Sequence, residues 1–232
     1  MNSNILQQYS VIVEFLGKAL GPHYEVVLHD LSSKDLAIAA IANGHISGRK
    51  VGGPLTDAAL RMLSSRAYET DDYLCNYKGI AQNGHVLRSS TMFIRDEDGT
   101  PVGLLCVNFD DYHYKELVES LLSTIHPESF LKQHPANSRP ILEKAPDPQE
   151  ASVPITENFS MDIPSLMEKI FHDATAALTT PIDRLNQSER REIVSRLSEQ
   201  GLFQLKGAVS FVARKFSCSN ATIYRYLSEI SA

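Results

Sequence analysis

The chain has 232 residues, of which 43% are hydrophobic and 22% are charged, and its net charge is −6. This length suits one large or two small domains, and no apolar run reaches the roughly 20 residues of a membrane span. The N-terminus shows no basic region followed by an apolar core, so the sequence predicts a cytoplasmic protein without membrane contact. Three scattered cysteines, Cys75, Cys106 and Cys218, are expected to be free thiols rather than a disulfide framework.

The charge is unevenly distributed along the chain. Residues 181–232 hold eight basic and five acidic residues, a balance of +3. The remainder holds 14 basic and 23 acidic residues, a balance of −9. A basic segment in an acidic protein predicts that only the C-terminal part meets a polyanion.

The first 126 residues contain helical and strand patterns separated by turn signals. Strands are predicted at residues 24–31, 36–42, 73–81, 86–95 and 102–110, and helices at 4–20, 56–66 and 114–125. Asp96-Glu97-Asp98-Gly99 predicts a hairpin turn, because glycine readily adopts the positive φ that such a turn needs. In the last helix, Leu117, Val118, Leu121 and Leu122 lie on one side. The order of elements predicts an α+β domain in which helices flank an antiparallel sheet.

Residues 132–160 differ in composition, because five prolines lie among polar and acidic residues. This pattern predicts a linker between two domains, residues 1–131 and 161–232, and such a linker should let them move relative to one another. A helix is expected at 165–178. One stripe of this helix is apolar and consists of Leu166, Ile170, Ala174 and Leu178. The helix is a candidate for a dimer contact.

Residues 206–229 have the spacing of a helix-turn-helix. Asn186 and Glu189 form a capping-box pattern at the start of the helix before it. The small residue Ala213 allows two helices to cross closely, and Ser219 is a good N-cap for the last helix. Ser217 stands where such turns usually have glycine, and a left-handed serine there costs on the order of 1 kcal/mol.

The helix Ser219–Leu227 is predicted to enter the major groove of double-stranded DNA. Asn220 and Arg225 have the chemistry to read adenine and guanine. The expected contacts to phosphate are made by Lys215, Ser219, Thr222 and Tyr224. An unrelated three-helix cluster with a structural role is the alternative interpretation of the same residues.

The helix Ser219–Leu227 resembles the C-terminal helix-turn-helix of the YheO-like regulators, which include the DauR-type regulators of D-arginine use. The N-terminal domain resembles the PAS-like domain of that family in four stretches, Leu16–Gly21, Glu25–Leu31, Asn43–Arg49 and Gly52–Thr56. The resemblance implies a bacterial transcription factor: a PAS-like antiparallel sheet domain with flanking helices, followed by an all-α helix-turn-helix domain.

A PAS-like sheet curls around a pocket for a small molecule, so the resemblance also implies a domain that senses an effector or mediates dimerisation. The candidate polar anchors are Asn43, His45, Ser47, Arg49, Tyr77, Ser90 and Asn108. Arg49 is suited to hold a carboxylate in bidentate fashion. A structural interpretation stays open beside this one, because Ser47 and Arg49 also fit a turn and a cap.

No cofactor is indicated by the sequence. The eight histidines lack the close spacing of a metal site, and the common catalytic motifs are missing. We therefore expect a DNA-binding regulator that is not an enzyme, holds no metal and acts as a homodimer or higher homo-oligomer on paired half-sites. The alternative is a ligand-binding or enzymatic N-terminal domain with a C-terminal cluster of helices for protein interaction.

Overall fold

The computed structural model describes residues 2–33, 36–126, 156–159, 162–176, 178 and 181–230. The helices within these ranges are α1 Asn2–Leu20, α2 Asp57–Ser64, α3 Tyr112–Ile125, α4 Ile163–Thr175, α5 Gln187–Glu199, α6 Ala208–Lys215 and α7 Asn220–Ile230. The strands are β1 Tyr24–Asp30, β2 Ile38–Ala42, β3 Tyr73–Ile80, β4 Val86–Arg95, β5 Pro101–Asp110 and β6 Thr156–Asn158. None of these helices is both long and apolar enough to cross a membrane.

The sheet has the order β2-β1-β5-β4-β3-β6. β1 to β5 pair antiparallel with their neighbours, whereas β6 pairs parallel to β3. The predicted hairpin between β4 and β5 is confirmed, because Gly99 has φ 80° and Asp96 Oδ1 accepts hydrogen bonds from the backbone N–H groups of Asp98 and Thr100. The predicted α+β architecture of the first 126 residues is confirmed.

Alternating residues of the strands give the sheet two different faces. On one face, Val26 and Leu28 of β1 pack with Leu6 and Val13 of α1. On the opposite face, Val27 belongs to a larger core that includes α2. The apolar residues of this second face are joined by buried polar residues, so this is the face that holds a candidate site.

β6 comes from the end of the predicted linker. Lys78 to Ile80 of β3 lie beside Thr156 to Asn158, so this short segment is an edge strand of the sheet. The predicted linker residues 132–155 and 160 lie outside the described residues. Residues 156–159 are therefore part of the N-terminal fold.

The C-terminal helices α4 to α7 enclose their own apolar side chains. The predicted capping box is confirmed, since Asn186 Oδ1 accepts from Glu189 N at 3.0 Å and Glu189 Oε2 accepts from Asn186 N at 2.7 Å. The apolar stripe of α4, the helix expected to carry a dimer contact, is buried within this domain: Leu166, Ile170 and Ala174 belong to the core, and α4 ends at Thr175. α4 thus does not offer that stripe to a second chain.

The two predicted domains are packed against each other rather than separated. Their apolar residues form one continuous buried cluster that runs from the sheet through α2 to α7. Ser64 Oγ of α2 donates to Glu199 O of α5 at 2.6 Å. Gly201 lies so close to α2 that an added Cβ would be 2.7 Å from Leu60 O. Shared apolar burial stabilises this packed arrangement, and movement of the two domains relative to one another stays a prediction.

Candidate DNA-binding surface and buried polar cluster

The turn between α6 and α7 has the backbone of a helix-turn-helix. Ser217 has φ 50°, which confirms the left-handed conformation expected at this position. Cys218 N donates to Ala213 O at 2.9 Å and closes the end of α6. Ala213 itself is buried, so its small side chain lets the helices approach.

Replacing Ser217 with glycine is expected to raise the free energy of unfolding by up to about 1 kcal/mol. Glycine removes the strain of a left-handed Cβ, and the greater flexibility of the unfolded chain offsets part of that gain. Urea unfolding measures the change. Ser228→Gly within α7 is the matched control, which should lose about 0.5–1 kcal/mol. Equal losses in both variants would show that Ser217 is not strained.

α7 is anchored by its N-cap and by its inner side. Ser219 Oγ accepts from Thr222 N at 3.2 Å, as the N-cap prediction requires. Ile223 and Tyr226 are buried against the other helices, and Leu227 is half-buried. Burial of these residues fixes which side of α7 faces outward.

The outward side of α7 carries the predicted base contacts. Asn220 is exposed and its Nδ2 donates to Ser210 Oγ of α6 at 3.1 Å. Arg225 is exposed, with its Nε 3.9 Å from Glu229 Oε1. Tyr224 is 61% exposed between them. All three side chains are exposed and therefore accessible to a ligand.

The predicted phosphate contacts are less uniform. Ser219 and Thr222 lie at the N-terminus of α7, with their hydroxyl oxygens 3.0 Å apart. Lys215 is turned towards α4, where its Nζ lies 2.8 Å from Glu168 Oε2. It also lies 5.4 Å and 5.5 Å from the ring centroids of Phe211 and Phe171. The exposed Arg214 beside it was not among the predicted contacts, although its charge and place in the last turn of α6 suggested it.

A group of buried polar residues lies on the sheet face opposite α1. We call it the buried polar cluster, and it consists of Glu25, His29, Ser47, Arg49, Ser89, Asn108 and Glu157. Its centre is an ion pair in which Arg49 Nη2 lies 2.9 Å from Glu25 Oε1. Ser47 Oγ donates to the other oxygen of Glu25, and Asn108 Nδ2 donates to Glu25 Oε1 at 2.9 Å. The guanidinium carbon of Arg49 also lies 4.5 Å from the ring centroid of Phe159.

Several atoms of the buried polar cluster have no hydrogen-bond partner within the protein. They are His29 Nδ1, Arg49 Nη1 and Asn108 Oδ1, whereas Ser89 and Glu157 share a side-chain hydrogen bond. A buried polar atom left unpaired costs about 1–3 kcal/mol, so such atoms in one place call for water or a bound molecule. The set contains donors and acceptors, and it can therefore pair with a polar ligand.

Burial changes the proton affinities of this region. It raises the pKa of Glu157, an effect opposed by Arg49 and then by Thr56. Burial together with the charge of Arg49 holds the pKa of His29 well below its ordinary value, so His29 is neutral. Burial likewise raises the pKa of Cys106 to about 12, which makes it an unreactive thiol. Arg49 and Glu25 form the ion pair of this cluster.

β6 connects the buried polar cluster to the C-terminal domain. Glu157 Oε1 accepts from Thr56 Oγ1 at 2.7 Å. The two oxygens of Asp57 accept from Asn158 N and Nδ2, both at 2.8 Å. Asp57 Oδ2 also lies 3.7 Å from Lys169 Nζ of α4. The N-terminus of α2 thus touches both the cluster and the helical domain.

The predicted ligand anchors fall into two groups. Ser47, Arg49 and Asn108 belong to the buried polar cluster, and Tyr77 lies on the same sheet face with its hydroxyl 2.7 Å from Thr91 Oγ1. Three anchors lie elsewhere: Asn43, His45 and Ser90. These three residues do not share a site in this structure, and their roles in binding a ligand stay predictions.

Each of the three outlying anchors has a local setting of its own. Asn43 Nδ2 donates to the carbonyl groups of Gly17, Gly21 and Tyr24 and so ties α1 to β1. Ser90 Oγ accepts from Asn76 N at 3.2 Å, on the other side of β4 from the buried Ser89. His45 is exposed on the turn. The described part of the chain contains no group of three or more His, Cys, Asp or Glu side chains placed to hold a metal ion.

Sequence reasoning missed Glu25, Ser89 and Glu157. A signal existed for two of them. Glu25 lies two residues before the inward-facing Val27, and Ser89 lies two residues after the inward-facing Leu87, so each falls on the buried face of its strand. A polar residue at a buried position is a sign of a functional or structural role. For Glu157 no local pattern was present, since it belongs to a three-residue strand at the end of a proline-rich segment.

Comparisons with known proteins match both halves of this architecture. Residues 1–126 match the model of the YheO-like PAS domain, and residues 166–228 match that of an HTH domain. The protein YheO of Escherichia coli strain K12 is 28% identical over 230 residues, which cover 99% of this chain and 86% of YheO. The transcriptional regulator DauR of Pseudomonas aeruginosa is 27% identical over 226 residues, which cover 97% of this chain and 94% of DauR. The resemblance stated from the sequence is thereby confirmed, and the chain belongs to the family that joins a YheO-like PAS domain to a C-terminal HTH domain.

Proposed function

We propose that this protein is a cytoplasmic, homodimeric transcriptional regulator in which α7 reads double-stranded DNA and the PAS domain responds to a small molecule. The observation that carries the DNA-binding part is the α6–turn–α7 unit. Its left-handed Ser217, its capped second helix and its exposed polar side coincide in the basic part of an acidic chain. A three-helix cluster with only a structural role would not require an exposed polar side in a basic segment.

The proposed base contacts are tested by Arg225→Ala. If the guanidinium reads guanine, affinity for the preferred DNA should fall by about 1–3 kcal/mol, and the preference at one base position should be lost. Binding to a library of single-base variants of the preferred DNA measures both effects. Arg196→Ala on the exposed surface of α5 is the control and should leave the preference unchanged. A uniform loss across all sequences would instead make Arg225 a phosphate contact.

The buried polar cluster supports the proposed effector site. Ser47, Arg49 and Asn108, three of the anchors predicted from sequence, meet there beside unpaired polar atoms. A molecule that pairs with those atoms has to disturb Glu157 or Phe159, which fill the same space. Asn158 is hydrogen-bonded to Asp57, and Asp57 Oδ2 lies 3.7 Å from Lys169 Nζ of α4. A ligand that displaces β6 would therefore also change contacts of α4.

Native mass spectrometry of the purified full-length protein tests the effector part. We expect a retained small-molecule mass that is lost in Arg49→Met under conditions in which urea unfolding shows this variant to be folded. A chain that binds no small molecule, while its DNA binding is intact, would remove sensing and leave the PAS domain as a dimerisation unit. Absence of DNA binding would favour the other class of function, a ligand-binding or enzymatic domain with a tail for protein interaction.

A further inference from the structure

α3 exposes an apolar side with no cover in the described structure. Tyr114, Leu117, Leu121 and Ile125 are 48%, 54%, 59% and 58% exposed. None of the 14 residues of this helix is buried. Isolated helices of this length are marginal in water, and a contiguous apolar patch of this kind marks an interaction surface. α3 therefore requires a partner for its stability.

The spacing along α3 indicates what kind of partner fits. Tyr114, Val118, Leu121 and Ile125 follow one another at intervals of four, three and four residues, which is the a and d pattern of a coiled coil. The acidic residues of the helix, Glu116 and Glu119, fall at the outer f and b positions. The a and d positions, which we call the seam, therefore hold no acidic residue. A second acidic chain can pack against the seam without repulsion from it.

The positions beside the seam favour a second copy of the same helix. In a parallel pair, a g residue faces the e residue that lies five positions later in the partner. Leu117 at g and Leu122 at e satisfy this relation, so apolar side chains meet on both flanks. In an antiparallel pair Leu122 would face Lys115, the other e residue, and this apolar match would be lost. The pattern is thus complementary to itself in the parallel direction.

A second exposed apolar strip lies on α1, and the loop that follows α1 contacts α3. Val11 and Phe15 of α1 are 65% and 64% exposed, on the side of α1 that is turned away from the sheet. The loop that follows α1 meets the first turn of α3, where His23 lies 5.8 Å from His113 and 5.5 Å from Tyr114 between ring centroids. Two heptads alone fall short of the roughly 800 Å² per partner of a standard interface, and the strip on α1 supplies further area.

We propose that α3 pairs in parallel with α3 of a second copy of this chain, supported by the strip on α1, and that this pairing forms the homodimer. The inference rests on the proposed function in one respect, since it names the surface of the dimer proposed there. A two-fold axis along α3 would present two copies of α7 to two half-sites.

The mass of the full-length protein, measured by light scattering after size exclusion without DNA, tests the pairing. The wild type should have twice the mass of the chain. Leu121→Asp should raise the dissociation constant on the order of 100-fold, because it places two charges in the apolar seam. Ser123→Asp on the outer side of α3 is the control and should remain dimeric. Circular dichroism and urea unfolding confirm that both variants are folded.

Disulfide trapping tests the direction of the pair in a Cys75→Ser background. Leu121→Cys should form a cross-linked dimer under mild oxidation, because d residues face their own copies in a parallel pair. Glu116→Cys should not. A monomeric wild type, or a Leu121→Asp variant that stays dimeric, would overturn the proposal and leave residues 127–155 or another protein to cover α3. Because these readouts contain no DNA, a failure of DNA binding would overturn the proposed function without touching this result.

Discussion

Arg49→Met is expected to lower the free energy of unfolding by about 3–5 kcal/mol, because it leaves the carboxylate of Glu25 buried without its partner. The side chains of Arg49 and Glu25 are 2% and 0% exposed, so water cannot replace the lost charge. Arg49 also acts to lower the pKa of Glu157 against the effect of burial, so its removal leaves the charged form of Glu157 less stabilised. Urea unfolding of the full-length protein measures the change.

Two comparisons separate charge from packing in that result. Arg88→Met changes an exposed arginine that lies 5.2 Å from the ring of Phe109, and it should shift stability by no more than about 0.5 kcal/mol. The double variant Glu25→Gln/Arg49→Met removes both charges, and it should be less destabilised than the sum of the single variants. Strict additivity of the two changes would show that the buried ion pair is not coupled.

Gly201→Ala should destabilise the protein by about 2–4 kcal/mol, because it acts on the backbone and on the contact between the domains. Gly201 has φ 75°, and the new Cβ would be 2.7 Å from Leu60 O and 3.0 Å from Leu60 C. These are backbone atoms of α2, so the PAS domain and the helical domain would have to separate. Unfolding measurements report the stability, and hydrogen exchange at α2 reports the separation.

Gly207→Ala is the matched control for this prediction. Gly207 also has a positive φ, 87°, but nothing lies within 4 Å of its added Cβ. This variant should lose only the cost of the left-handed backbone, about 1–2 kcal/mol. If both variants lost the same amount, α2 and Gly201 would not be in contact, and the packing of the two domains would be wrong.

The local patterns of this sequence were sufficient for most elements of the fold. The short apolar run on β1, the helical spacing on α5 and the turn residues at Gly99 and Ser217 each act over a few residues, and a pattern of that range is visible in the chain itself. The capping box at Asn186 is another example, because both of its hydrogen bonds lie within four residues.

The parts that could not be predicted depend on distant partners. β6 is a strand because it pairs with β3, and it is held there by hydrogen bonds from Asn158 to Asp57 and from Thr56 to Glu157, residues that are 101 positions apart in both pairs. The sequence around β6 is polar and rich in proline, so it gives no strand signal of its own. In the same way, Arg49 was recognised as a polar anchor, but its partner Glu25 was identified only once the sheet had brought them together.

The DNA-binding role of α7 is tested most directly by selection of DNA from a random pool by the full-length protein, followed by measurement of affinity at several salt concentrations. We expect a paired half-site sequence that is preferred over unrelated DNA. The logarithm of the binding constant should fall linearly with the logarithm of salt concentration, as expected for release of counterions from phosphate groups. Binding without any sequence preference, or no binding at low salt, would contradict a DNA-reading role for α7.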